Sequence, residues 1–415
     1  MTDMKKMFGN AVVGQSGGPT AAINATLAGV VRGVLENNGE NIAKLYGMKN
    51  GIEGLLQEDL IDLSAFFADS AEKLRILEQT PAAALGSCRL KLPKPQDDAA
   101  FYERLIAIFK KYDIRFFFYI GGNDSMDTVA KLTAYLATSD YEMKVMGIPK
   151  TIDNDLLGTD HTPGYGSAAK YIAVTMQEIL RDCAVYRIPA VTIVELMGRD
   201  AGWLTAASAV GRITGGMEPD YVYLPECVFD LDKFLSDVKA ALTRHPNVVV
   251  AVSEGVRFAN GRYVGEGSQS GATDKFGHAY LAGVGKVLEY AIRESIGCKV
   301  RSLELSLPQR CAAHLASDTD LTESAGVGKA AVLAACNGVS GEVMSITRSS
   351  GKQYAVSYEH HPASSVANGV RKVDPEFCVP EGNQVTDAFC RWLLPLIQGE
   401  REMQYQNGLP VHLTF

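Results

Sequence analysis

The sequence predicts an α/β protein built as two doubly wound, mostly parallel-sheet lobes with the active site in the cleft between them. Three observations carry that prediction. Short Val/Ile/Phe-rich runs alternate with longer amphipathic stretches, which is how parallel strands and helical crossovers read in a sequence. The clearest runs, residues 11–13, 116–120, 145–148, 190–196 and 248–252, are each followed by a loop rich in Gly, Asp, Asn, Glu or Arg. With 415 residues, 47% hydrophobic and 21% charged, the chain is long and apolar enough to bury more than one core. Ligand sites in open α/β sheets gather at the carboxyl ends of the strands, so these loops should meet in one place.

Taken in order, the first loop is Gly14-Gln15-Ser16-Gly17-Gly18-Pro19-Thr20, which leads into a helix running toward Glu36. Bare N–H groups and the positive end of a helix dipole suit a phosphate there, although such a turn alone is ordinary punctuation. Ile120-Gly121-Gly122-Asn123-Asp124-Ser125 repeats the arrangement, a glycine turn after an apolar strand, with a helix expected to begin near Met126. After the next strand comes Pro149-Lys150-Thr151-Ile152-Asp153-Asn154-Asp155, which sets carboxylates, a hydroxyl and an ammonium in one loop. Phosphoryl transfer to a hydroxyl needs that combination: donors for phosphates, acids on the metal side, and a base for the acceptor's proton.

Together and in this order, these motifs resemble the phosphofructokinase family. Its ATP-using members carry Gly-Gly-Asp-Gly-Ser and Pro-Gly-Thr-Ile-Asp-Asn-Asp at the two places, whereas this chain has Asp124 and Lys150 where they have glycine. Both departures look like the pyrophosphate-dependent branch of the family. A physical reason can be given for each. A carboxylate at 124 adds bulk and negative charge where the α-phosphate of a nucleotide would lie. At about 4 Å and an effective dielectric of about 20, two like charges repel by about 4 kcal/mol. Diphosphate has no group at that position. Lys150 would offset charge on the leaving phosphate.

The resemblance covers roughly residues 12–320 and implies roles residue by residue. It places Gly18, Arg89, Gly122, Asn123, Asp124, Ser125 and Lys150 on the phosphoryl donor. Asp153 is implied as the general base for the sugar 1-hydroxyl, with Thr151 donating to the transferred group and Asp155 as an orienting or metal-side carboxylate. Met197, Gly198, Arg199, Glu254, Arg301 and Arg310 are implied as contacts to fructose 6-phosphate, the arginines suiting its 6-phosphate through bidentate binding. Mg²⁺ is the implied cofactor, with Asn123 standing where the ATP enzymes have a ligating aspartate. The implied domains are 1–164 with about 309–345 for the donor, 165–308 for the sugar phosphate, and a C-terminal extension from about 346 to 415. A homo-oligomer, dimer or tetramer, is implied as well.

Some family features are missing. An arginine lent to the neighbouring subunit's sugar site falls near Ala190, with Arg187 close by; a histidine near the 6-phosphate is Leu307; an effector-site arginine is Ala28, which suggests weak or absent nucleotide regulation. The reading that follows is transfer of phosphate between diphosphate and carbon 1 of fructose 6-phosphate, running in both directions. An ATP-dependent phosphofructokinase tolerating Asp124 and a catalytically silent sugar-phosphate sensor are the alternatives. NAD kinases share the glycine turn but not the Met197 and Arg310 motifs.

Composition narrows the class further. A net charge of −8 argues against nucleic acid or an anionic membrane as partner, so the positive field for anionic substrates must be local. No apolar run reaches membrane-span length and Met1-Thr2-Asp3-Met4-Lys5-Lys6 shows no secretory core, which points to the cytoplasm. The eight cysteines have no zinc-type spacing and read as reduced, mostly buried thiols. Tyr358-Glu359-His360-His361 reads as surface, because neighbouring residues of a strand face opposite ways.

Overall fold

The computed structural model describes residues 7–268, 283–351 and 353–415; the opening six residues, where the leader reading falls, lie outside the described residues. The strands in chain order are β1 (Gly9–Gln15), β2 (Ile42–Met48), β3 (Leu60–Asp62), β4 (Ile114–Gly121), β5 (Lys144–Pro149), β6 (Ala190–Leu196), β7 (Tyr221–Tyr223), β8 (Asn247–Ser253), β9 (Lys299–Glu304), β10 (Glu342–Arg348) and β11 (Val356–Pro362). They form two main sheets. The larger runs β11-β10-β5-β4-β1-β2-β3 and the smaller β7-β8-β6-β9. Every pairing in the smaller sheet is parallel, and the larger is parallel except for its outermost strands β3 and β11.

Strand β4 shows why the sequence pattern was readable. Phe116, Phe117 and Phe118 are all fully buried, because helices cover both faces of the sheet and leave no polar side to alternate with. One such helix, Ile23–Glu36, lies against Asp318–Cys336 at very short range. A Cβ on Gly29 would stand 2.0 Å from the Ala325 carbonyl oxygen, and one on Gly328 2.2 Å from that of Thr26, so the contact needs glycine on both helices. The helix Tyr165–Cys183 is started by a residue distant in sequence. Buried Asp320 accepts from the N–H groups of Gly164 and Ser167, each at 2.9 Å, and so satisfies the helix's first donors.

Both sheets have a switch point that faces the same region. In the larger, the chain leaves β1 toward β2 on one side and returns at β4 on the other; in the smaller, β6 sits between β8 and β9. Loops after β1, β4, β5, β6 and β8 therefore open into one crevice. Three expectations change. The larger sheet takes in residues up to 362 through β10 and β11, beyond the 345 expected for that lobe. The helix after β4 begins at Asn123, so the glycine turn is tighter than the sequence suggests. All eight cysteines are free, yet only Cys88 and Cys390 are buried and Cys311 is exposed. His360 and His361 lie on β11 as expected, the former paired with Glu342 and the latter packed beside Gly158.

Candidate active site

The crevice is a cleft of about 550 Å³, a usual size for a small-ligand site. The loops of the larger sheet bring to it Gly18, Arg89, Gly122, Asn123, Asp124 and Ser125. The loop after β5 contributes Lys150, Thr151, Asp153 and Asp155, and the smaller sheet contributes Met197, Arg199, Glu254 and Arg310. Gly198 stands just behind, its N–H donating to Glu254 Oε1 at 3.2 Å. Arg301 does not join them. It lies on β9, the outer strand of the smaller sheet, in register with Thr192, and is exposed beside Tyr186 and Lys299, so it does not reach this chain's cleft.

Backbone hydrogen bonds fix the 150–155 loop. The Lys150 N–H donates to the Gly121 carbonyl at 2.9 Å and the Thr151 N–H to that of Pro163 at 3.2 Å. Asn154 takes a left-handed conformation with φ of 54°, fully buried, and its Oδ1 accepts from the Thr162 N–H at 3.0 Å. Asp153, Asn154 and Asp155 thus form a turn stitched by Asn154, leaving both aspartates at the cleft. Thr151 Oγ1 accepts from the Asp153 N–H at 3.1 Å and fixes the residue that the sequence nominates as base. The Ser16 and Ser125 hydroxyls meet, tying the two glycine turns together.

Charges in the cleft are far from their solution states. Burial pulls Lys150, only 2% exposed, down to about 8, helped by Arg310 and Arg89 and opposed by Asp153 and Asp155. Its ammonium donates to the Gly18 carbonyl. Burial raises the Asp153 carboxyl, while Thr151, Lys150 and Arg199 hold it back. Burial and then the neighbouring Asp153 push Asp155 up to about 7, and burial brings Glu254 to about 7 as well. Titratable groups displaced this far by desolvation and by each other, gathered in one cleft, make it the candidate functional site.

Two placements alter the sequence reading. Asp124 pairs with Lys91 at 3.0 Å, so its charge is partly offset. Arg310 reaches toward the donor side: a Cβ on Gly18 would lie 3.5 Å from Arg310 Nη1. Sequence reasoning missed Asn368, Gly369 and Val370, which also line the cleft. The Asn-Gly pair signals a turn, but nothing in it signals a ligand.

A family model described as "Phosphofructokinase" matches residues 10–333. The chain belongs to the phosphofructokinase family. It is 41% identical over 409 residues to a pyrophosphate--fructose 6-phosphate 1-phosphotransferase of Xanthomonas campestris pv. campestris (strain B100), covering 98% of this chain and 96% of the relative. A protein of the same description from Methylococcus capsulatus is 41% identical over 407 residues, covering 98% and 95%. Among solved structures, a pyrophosphate-dependent phosphofructokinase of Nitrosospira multiformis superposes with a TM-score of 0.87 at 36% identity, covering 98% of this chain and 96% of that one. The family match stops at 333, so the cleft residues 368–370 lie beyond it. Among the described residues, no helix is long and apolar enough to cross a membrane.

Proposed function

We propose that this protein is a pyrophosphate-dependent phosphofructokinase, transferring a phosphoryl group reversibly between diphosphate and the 1-hydroxyl of fructose 6-phosphate. The observation that carries the reading is that Lys150 and Asp124, where the ATP-using members have glycine, both line a cleft that also holds Asp153. Two of the chain's relatives, similar to it over nearly its whole length, bear the name of that activity.

In the forward direction, diphosphate lies against the N–H groups at Gly18 and at the start of the helix Asn123–Leu136, with Arg89 and Ser125 beside it. Fructose 6-phosphate is held by Met197, Gly198, Arg199 and Glu254, and Arg310 stands between the two ligands. Asp153 takes the proton of the 1-hydroxyl as that oxygen bonds to the nearer phosphorus. The bond to the bridging oxygen breaks, and orthophosphate leaves with its charge against Lys150. Thr151 donates to the oxygens in flight. Run backward, Asp153 returns the proton to the sugar oxygen.

The donor set fits a divalent cation. Among the described residues no group of three acidic, His or Cys side chains is poised for one, so a Mg²⁺ ion here would take most of its oxygens from the substrate phosphates. Asn123 Oδ1 is buried without a hydrogen-bond partner, and Asn123 and Asp155 would hold Mg²⁺. When bound, the ion neutralises phosphate charge.

Residues 7–164 with about 313–362 would form the donor lobe and 165–308 the sugar-phosphate lobe. A cytoplasmic homo-oligomer fits the reading, and Arg301 on the exposed β9 would then face a second subunit rather than its own cleft. The test is one coupled assay with fructose 6-phosphate, offering diphosphate and ATP separately. Turnover with diphosphate and little with ATP is expected; the reverse would replace this reading with an ATP-dependent kinase.

A further inference from the structure

We propose that residues 368–371, beyond the stretch matched by the family model, are a positioning element of the reaction centre, with the Gly369 carbonyl setting the orientation of the Asn123 amide. The inference rests on the reading above that Asn123 faces a metal-bound donor.

Asn123 has two amide ends, and the structure spends one of them. Its Nδ2 donates to the Gly369 carbonyl at 3.0 Å, which turns Oδ1 the other way, where it is buried with no partner. A side chain so fixed leaves an oxygen rather than an NH₂ as its unspent polar atom. This also accounts for the departure from the family's aspartate. A carboxylate has no proton to give, and at this position one of its oxygens would meet the Gly369 carbonyl as two acceptors face to face.

The carbonyl in turn is held by its neighbours on both sides. Asn368 is left-handed, with φ of 65°. A Cβ on Gly369 would lie 2.2 Å from Leu157 Cδ1, so the segment passes where only glycine fits without displacement. The Arg371 N–H donates to the Asp155 carbonyl at 2.7 Å, and Arg371 Nη1 donates to the Thr159 carbonyl at 3.1 Å. The Arg371 guanidinium lies 4.6 Å from the Trp203 ring centroid, and Trp203 Nε1 donates to the Arg371 carbonyl at 3.1 Å. One short segment thus joins the Asn123 amide, the Asp155 backbone and the tryptophan that begins the helix after the Met197 loop.

The test uses full-length Asn123→Asp, Asn123→Ala and Gly369→Ala proteins. Amide hydrogen exchange is followed over residues 367–373. Mn²⁺ is titrated in the presence of methylenediphosphonate and read from the spin-resonance signal of the free ion. Exchange at Arg371 should speed up about tenfold or more in all three variants. Mn²⁺ binding should weaken by about 10- to 100-fold in Asn123→Ala and Gly369→Ala, the usual cost of losing a group that orients a ligand. In both, kcat should fall while KM for fructose 6-phosphate stays within about twofold. Unchanged exchange in the two Asn123 variants, or unchanged Mn²⁺ affinity in Gly369→Ala, would overturn the proposal. If Gly369→Ala does not fold, the nearly isosteric Asn123→Asp decides by its exchange alone. Absence of Mn²⁺ binding by the unsubstituted protein would sink the underlying reading of Asn123 as well.

Discussion

On the proposed reading, the two sides of the cleft would each hold an anionic ligand, in a protein of net charge −8, by different means. The donor side would rely on backbone N–H groups at two glycine turns and on Lys150, buried and drawn down to about 8. On that reading the sugar side would rely on side chains placed after strand ends, Arg199 and Glu254, the latter pushed up to about 7, with Arg310 standing between the two sides. Truncating a side chain leaves a backbone donor in place, whereas it removes a side-chain contact outright. The donor side should therefore be sensitive at a few points with large effects, and the sugar side at many points with smaller ones.

The sharpest way to break that contrast lies at the junction of the two sides. Asp153→Asn removes the acceptor of the hydroxyl proton and should lower kcat by about 10²- to 10⁴-fold, with fructose 6-phosphate binding by calorimetry nearly intact. Unaltered turnover would remove Asp153 as the base. Next comes Lys150→Met, which should cost about 10²- to 10³-fold in kcat/KM for diphosphate and much less for the sugar phosphate. Lys150 is charged below its value of about 8 and loses its proton above it, so the unsubstituted protein should lose activity as pH rises through about 8. A pH–rate profile that kept this limb in Lys150→Met would assign it to another group.

How much of this was legible can be argued from particular residues. Strands β4, β6 and β8 announce themselves because both faces are covered and their sequences are continuously apolar. Strands β9 and β11 did not, because they lie at sheet edges with exposed positions carrying Lys299, Arg301, Glu304, Glu359 and His360. Lys150 and Asp153 were legible from motif order. The Asp124–Lys91 pair was not, since the partners come from different loops, and neither was the arrival of Gly369 beside Asn123 from 246 residues away. Arg301 did not join the cleft because it lies within the edge strand β9 rather than in a loop after a strand, and β9 carries too many exposed polar residues to be recognised as a strand from its sequence.

Two finer measurements sharpen the comparison. Asp124→Gly should raise the kcat/KM ratio of ATP to diphosphate by about tenfold, a small gain because Lys91 already offsets part of the charge. No gain in competition kinetics would show that the obstruction lies elsewhere on the donor side. The smallest effect is expected in stability. Asp155 holds its proton in the fold up to about 7, against 3.8 when unperturbed, so the folded state binds the extra proton between those values. The resulting loss of stability builds as pH rises from about 4 to about 7 and is complete above that. Asp155→Asn should therefore raise the melting temperature by a few degrees at pH 8 and by less at pH 5. Equal shifts at both pH values would mean that the carboxyl is not perturbed as described.

The half-titrated state of Lys150 has a thermodynamic corollary. Diphosphate brings several negative charges to an amine that is only partly protonated near pH 8, and so must drive that amine toward its charged form. Donor binding is then coupled to uptake of a fraction of a proton from solvent, and its measured heat should vary with the ionisation enthalpy of the buffer.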